Sequence, residues 1–124
     1  IWVDPFYQSI EIRKFCQDNG IVVVSYSTLG GQHFYRNPSL KNVVLESKVI
    51  AEIAKRYQNA SEVQVVLSWA LQRNMGVLPR SKDASHILQN AGFFKSNASE
   101  LAMFLDDGDL EVMDGLDGKL NEID

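Results

Sequence analysis

Apolar positions along this chain recur with two different periods. Ile21-Val22-Val23-Val24 is an unbroken β-branched run, the pattern of a parallel strand buried on both faces. Met75 to Leu78 is a second short apolar run, stopped by Pro79, which cannot donate to a strand ladder. Ile1-Trp2-Val3, closed by Asp4-Pro5, reads as the end of a third strand. Between these runs the spacing is helical. Ser9 is a candidate N-cap for a helix whose Ile10, Ile12, Phe15 and Cys16 lean towards one face, and Asn19-Gly20 ends it in the left-handed manner. Leu45, Val49, Ile53 and Tyr57 recur at i, i+4 and predict a helix over 45–57. Ser61 and Gln64 form a capping-box pair, so a second helix runs from there to about Arg73. Its Val63, Val65, Val66, Leu67, Trp69, Ala70 and Leu71 leave little polar surface, which implies packing on more than one side.

Further on, Asp83 is the expected N-cap of a helix reaching Asn90, with Ile87 and Leu88 turned inward. Leu105, Leu110, Met113 and Leu116 predict a short capped amphipathic helix at the end. Residues 32–43, polar and aromatic with Pro38, are expected to be loop, as are residues 92–99, with Phe93 and Phe94 anchoring them. The order strand, helix, strand, two helices, strand, helix, helix is that of a parallel sheet with right-handed crossovers. Strands near 21–26 and 75–78 are expected to be parallel and adjacent.

Composition narrows the class. A 124-residue chain that is 45% hydrophobic and 23% charged fits one soluble globular domain. No apolar run approaches the ~20 residues of a membrane span. The single Cys16 excludes an internal disulfide framework and suits a reducing, cytoplasmic setting. No signal peptide is visible, and a chain opening on Ile in mid-strand reads as cut. Residues 1–99 hold 11 basic and 7 acidic side chains, net +4, whereas residues 100–124 hold 1 basic and 9 acidic, net −8. The basic body suits a phosphate-bearing ligand. Nucleic acid is not expected, because the cations are scattered without interleaved aromatic residues. The acidic cluster Asp106-Asp107-Gly108-Asp109 fails the spacing of a calcium-binding EF-hand, and acids at a helix start complementing the dipole explain it better.

The chemistry concentrates around Val77-Leu78-Pro79-Arg80-Ser81. A strand ends there, a cation and a hydroxyl follow, and the helix begun by Asp83 points its N-terminus back at them. Free N–H groups, the helix dipole and the guanidinium fork together favour an anion such as a phosphate. Taken alone, the same residues also fit an ordinary turn with a surface Arg and Ser.

Three stretches in order resemble the aldo-keto reductase family. Leu78-Pro79-Arg80-Ser81, His86-Ile87 and Gln89-Asn90 resemble its cofactor signature, apolar-Pro-Lys/Arg-Ser, four residues, Arg-Ile, one residue, Glu-Asn. Ser25-Tyr26-Ser27-Thr28-Leu29-Gly30 resembles its Ala-Tyr-Ser-Pro-Leu-Gly, and Gln64 to Arg73 resembles its Gln-x-x-Leu-x-Trp-x-Leu-Gln-Arg. Asp4 stands where the family usually has His in Val-Glu-x-His-Pro. The resemblance implies a partial (β/α)8 TIM barrel, about the last three strands with their helices, as one partial-barrel domain over residues 1–124, since a whole barrel takes about 250 residues.

It also implies an NADP(H) site. Tyr26 would lay its ring on the nicotinamide, and Ser27, Leu29 and Gly30 would line the pyrophosphate. Arg80 and Ser81 would hold the 2′-phosphate, and Gln89 and Asn90 the adenine. Two departures weaken that site or blur its preference for NADP over NAD. His86 replaces an Arg, losing a permanent charge and a bidentate fork, and Gln89 replaces a Glu. The family's catalytic Tyr, Lys, Asp and His would lie before Ile1, so no catalytic residue is expected here, and the chain alone should not reduce a carbonyl. A metal at His86 is not expected, because no second ligand stands at ligand spacing. The alternative role is a non-catalytic self-association or protein-interaction module, a half-barrel whose open strand edges pair with a second copy or a partner protein; the missing N-terminal half would pair through the same edges.

Overall fold

The computed structural model describes residues 1–58, 60–92 and 103–120. Its elements run α1 (Ile10–Asp18), β1 (Val23–Ser25), α2 (Gly31–Arg36), α3 (Lys48–Ala54), α4 (Glu62–Gln72), β2 (Met75–Val77), α5 (Ala84–Ala91) and α6 (Asp107–Asp114). β1 and β2 pair in parallel, with Val23 opposite Met75 and Ser25 opposite Val77. The expected third strand is reduced to a parallel bridge between Trp2 and Tyr26. There the Ile1 amine donates to the Val24 carbonyl and the Tyr26 N–H to the Ile1 carbonyl. The 1–3 segment, β1 and β2 thus lie side by side, with their carboxyl ends together.

α4 is the centre of the core, for the reason its sequence announces. Ser61 accepts the Gln64 N–H while Gln64 accepts the Ser61 N–H, closing the capping box. Val65, Val66, Leu67, Ser68, Trp69 and Ala70 are all buried. α6 begins at Asp106, whose carboxylate accepts the Asp109 N–H at 2.7 Å, and it turns Leu110 and Met113 into the core. The indole of Trp69 donates to Asp114 Oδ1 at 2.9 Å, and Arg73 grips the same carboxylate, Nη2 lying 2.5 Å from Oδ2. The amide of Gln8 donates to the carbonyls of Pro5, Met113 and Asp114, fastening α6 to the opening segment. Fully buried Asp109 accepts from Arg56 and from the Tyr57 hydroxyl. Burial raises the Tyr57 hydroxyl pKa; the Asp106 N–H opposes that rise and the Asp109 carboxylate adds to it.

Several expectations from the pattern are corrected. β1 is buried on one face only: Val23 and Ser25 are covered, while Val22 is 82% exposed and Ile21 and Val24 also reach solvent. A period-2 strand hides alternate residues, and no described residue covers its other face. α3 is shorter than 45–57, because Ser47 caps it, and it buries Ile50, Ile53 and Ala54 while Val49 is exposed. Residues 32–43 are not all loop, since α2 occupies the first part. Ser9 stands at the N-cap of α1 with φ +49 and makes no capping bond; its hydroxyl donates to the Trp2 carbonyl. α5 has its Asp83 cap but no buried residue, and Leu88 is 73% exposed, so Ile87 and Leu88 do not point inward. The expected anchors Phe93 and Phe94 lie outside the described residues.

Candidate functional site

The carboxyl ends of β1 and β2 open onto a cavity of about 590 Å³, a volume suited to a small organic ligand. Tyr26, Ser27, Thr28 and Leu29 form one wall, Leu78, Pro79 and Arg80 face them, and Gln32 and Tyr35 of α2 complete the rim.

The wall after β1 is held from within. The Ser25 hydroxyl lies 2.6 Å from the Thr28 hydroxyl and donates to the Val3 carbonyl at 2.7 Å, and both side chains are buried. Ser27 adopts φ +55, a left-handed conformation that few L residues take. Gly30 has φ +88, and a Cβ there would stand 2.6 Å from Asn42 Oδ1 and 2.9 Å from Val44 Cβ. Glycine is therefore required by the turn and by its neighbours, independently of any ligand. Asn42 closes the loop, donating to the Leu29 carbonyl at 2.9 Å and accepting the N–H groups of Val44 and Leu45.

The opposite wall is open. Leu78, Pro79 and Arg80 are exposed, and Ser81 is half-buried. Asp83 already serves the N-terminus of α5: its Oδ1 accepts the N–H of Ser85 at 2.8 Å and that of His86 at 3.1 Å. The Ser85 hydroxyl, followed by these two N–H groups, holds the Asp83 carboxyl below its usual pKa. The Ser81 hydroxyl accepts the Asp83 N–H at 3.0 Å. The dipole and free N–H groups expected to welcome a phosphate are thus shared with a resident carboxylate. Arg80 is the remaining strong donor at this wall.

Tyr26, Ser27, Leu29 and Arg80 are brought together in the cavity. Gly30 is buried behind it, while Ser81, His86, Gln89 and Asn90 lie outside its lining on the arm that leads into α5. Sequence reasoning missed Thr28, Gln32, Tyr35 and Asn42. Thr28 carried a signal: Ser25 and Thr28 replace the Ala and Pro of the resembling motif together, and they touch.

The residues suit a dinucleotide in kind. Tyr26 is 45% exposed and presents a flat ring, Arg80 supplies a guanidinium, and Leu29, Leu45, Leu67 and Leu78 supply apolar lining. A larger cavity, of about 650 Å³, lies at the opposite ends of the strands. Its cations are mostly engaged. Lys14 pairs with Asp18 and Arg73 with Asp114, while Arg13 lies 5.8 Å over the Trp69 ring. Ligands of such folds gather at the carboxyl ends, so the smaller cavity is the candidate.

Comparison with known proteins bears on both fold and site. The model of the Aldo/keto reductase family matches residues 1–104. Aldo-keto reductase family 1 member D1 of Mus musculus is 33% identical over 103 residues, covering 80% of this chain and 30% of that protein. The NADPH-dependent D-xylose reductase of Meyerozyma guilliermondii is 33% identical over 90 residues, covering 69% of this chain and 28% of that protein. The crystal structure of an aldo-keto reductase of the silkworm Bombyx mori superposes with a TM-score of 0.71 at 28% identity, over 95% of this chain and 34% of that one. An aldo-keto reductase structure complexed with NADPH matches with a TM-score of 0.70 at 27% identity, again over 95% of this chain and 34% of that one. The chain spans about 30% of the length of the curated relatives it matches.

Proposed function

Since this chain belongs to the aldo-keto reductase family and has the fold of part of its (β/α)8 barrel, we propose that it forms the NADP(H)-binding, C-terminal portion of an oxidoreductase whose parent reaction is NADPH-dependent carbonyl reduction. The observation that carries this reading is the cavity at the strand ends, where Tyr26, Ser27, Leu29 and Arg80 converge. Tyr26 takes the nicotinamide on its exposed face. Ser27, Leu29 and Gly30 follow the pyrophosphate, Arg80 and Ser81 hold the 2′-phosphate, and Gln89 and Asn90 meet the adenine. His86 stands where the family has Arg, so cofactor binding is weaker than in relatives that keep it. The cofactor supplies the hydride; this chain supplies its seat. A single partial-barrel domain over residues 1–124 and a cytoplasmic setting belong to the same proposal.

The chain by itself is not expected to turn over substrate. Tyr57 spends its hydroxyl on Asp109 and on the Asp106 N–H, and His33 is buried against Asp4. Neither is placed to act as the general acid of a carbonyl reduction.

The test is a calorimetric titration of wild type, Arg80→Ala and His86→Arg with NADP and NAD. A charged hydrogen bond contributes about 1.5–3 kcal/mol, or roughly 10- to 150-fold in affinity. Arg80→Ala should lose about that much for NADP and little for NAD, and His86→Arg should gain for NADP. Equal NADP affinity in wild type and Arg80→Ala sinks the site.

A second reading has its own support. Val24 of β1 and Val22 just before it are exposed apolar side chains, of the kind that associate with a second copy. Sedimentation that is independent of concentration excludes self-association. A dimer abolished by Val22→Lys supports it.

A further inference from the structure

We propose that Asp4 and His33 form a positioning pair, which holds α2 against the strand ends so that Gln32 and Tyr35 close the outer rim of the Tyr26–Arg80 cavity. As a role in cofactor binding this rests on the reading above. As a hold on α2 it stands on the geometry.

Asp4 is completely buried and His33 nearly so. Asp4 Oδ1 accepts the Phe6 N–H at 2.9 Å, and Oδ2 accepts the Trp2 indole N–H at 2.7 Å. His33 Nε2 lies 2.9 Å from the same Oδ2. Nε2 makes no aligned hydrogen bond there, so the imidazole is held by close packing beside the carboxylate. Desolvation pushes the Asp4 carboxyl above its usual range, against the opposing pull of His33, the Phe6 N–H and the Trp2 indole.

The rest of the cluster ties the same helix to the same place. Trp2 stacks on Tyr7 with centroids 4.1 Å apart and meets His33 edge-on at 5.3 Å. The guanidinium of Arg36 stands 4.7 Å from the centre of the Trp2 ring. His33 and Arg36 are one turn apart on α2 and both face this cluster. Gln32 and Tyr35, one turn apart on the adjoining face, line the cavity. A six-residue helix cannot hold itself in water, so its place is set by its anchors. A buried carboxylate is a costly anchor where an apolar residue would pack as well. What the cluster adds over apolar packing is a fixed set of contacts: His33 beside Asp4 and Arg36 over the Trp2 ring set which side of α2 meets the cluster, and hence which residues meet the cavity.

The experiment combines NADPH titration with amide hydrogen exchange on wild type, Asp4→Asn, His33→Gln, Tyr35→Ala, and Tyr35→Ala in the His33→Gln background. His33→Gln should weaken NADPH binding about tenfold. Tyr35→Ala should weaken binding in wild type and add little on His33→Gln, because the ring is already displaced; a general loss of stability would add in full. Exchange of α2 amides should quicken about tenfold in His33→Gln, with α4 unchanged. Asp4→Asn is expected to follow His33→Gln, and if it does not fold, His33→Gln carries the test. Unchanged α2 exchange in His33→Gln overturns the proposal. Quickened α2 exchange with unchanged NADPH affinity overturns the role in binding. Wild type that binds no NADPH, together with quickened α2 exchange in the variant, refutes the cofactor reading and leaves the hold on α2 standing.

Discussion

The two walls of the cavity come from equivalent places, each following a strand of one parallel pair, yet they are held in different ways. The wall after β1 is locked by buried groups: Ser25 against Thr28 and Val3, Asn42 across the loop, and Gly30 in a conformation only glycine takes easily. The wall after β2 is Leu78, Pro79 and Arg80, all exposed, leading into a helix without a buried residue. The first wall has its shape before any ligand arrives. Fixing the exposed side chains of the second on a ligand would cost about 0.5–1.5 kcal/mol for each one immobilised. On the function proposed above, a dinucleotide would meet the braced wall at its nicotinamide and pyrophosphate and the exposed wall at its 2′-phosphate. On that proposal, the difference between the walls would weaken binding alongside the exchange of Arg for His86.

The largest effect that would break this contrast belongs to Gly30. Gly30→Ala forces a side chain into the left-handed region and against Asn42 and Val44. The expected loss is about 2–4 kcal/mol of stability, combining backbone strain with overpacking, read from urea denaturation. A loss below about 0.5 kcal/mol, the range of neutral surface changes, would mean the first wall is as compliant as the second.

A much smaller change is expected across the cavity. Ile87 is 50% exposed and Leu88 is more so. Ile87→Ser with Leu88→Ser should shift stability by no more than about 0.5 kcal/mol. A loss above about 2 kcal/mol, the scale of a buried aliphatic side chain, would show that α5 is packed in solution and that its exposed face is covered there.

Much of this was legible in the chain and some was not, for identifiable reasons. The capping box of α4, the parallel pairing of β1 with β2 and the buried residues of α6 follow from local spacing that tertiary contacts reinforce. The resembling motifs singled out Tyr26 and Arg80, and both line one cavity. α2 was not legible. Gly31-Gln32-His33-Phe34-Tyr35-Arg36 has no apolar periodicity, because its anchors are a buried His and an Arg set on Trp2. Burial was overread in Val22, Val24, Ile87 and Leu88, since apolar spacing says which residues share a face and not whether anything covers it.

The smallest effect sharpens the comparison most, because two aspartates on opposite sides of the cavity should respond to acid with opposite sign. Asp4 is buried beside the first wall, and desolvation raises its pKa above the ordinary 3.8. A carboxyl raised on folding contributes stability that is fully present below its unfolded pKa and is lost as pH rises through the folded value. Asp83 is fully exposed on the second wall, and the Ser85 hydroxyl with the His86 and Ser85 N–H groups lowers its pKa below 3.8. Its contribution is present above 3.8 and is lost as pH falls through the lowered value. The Phe6 amide reports on Asp4 and the Ser85 amide on Asp83, since each donates to the respective carboxylate. In an NMR titration the Phe6 amide shift should turn at a pH above 3.8 and the Ser85 amide below it. Loss of the Asp83 cap should then fray the start of α5 while the Ser25–Thr28 brace stays intact. Coincident midpoints would mean that Asp4 is solvated like Asp83, and that the first wall is not the closed structure its hydrogen bonds describe.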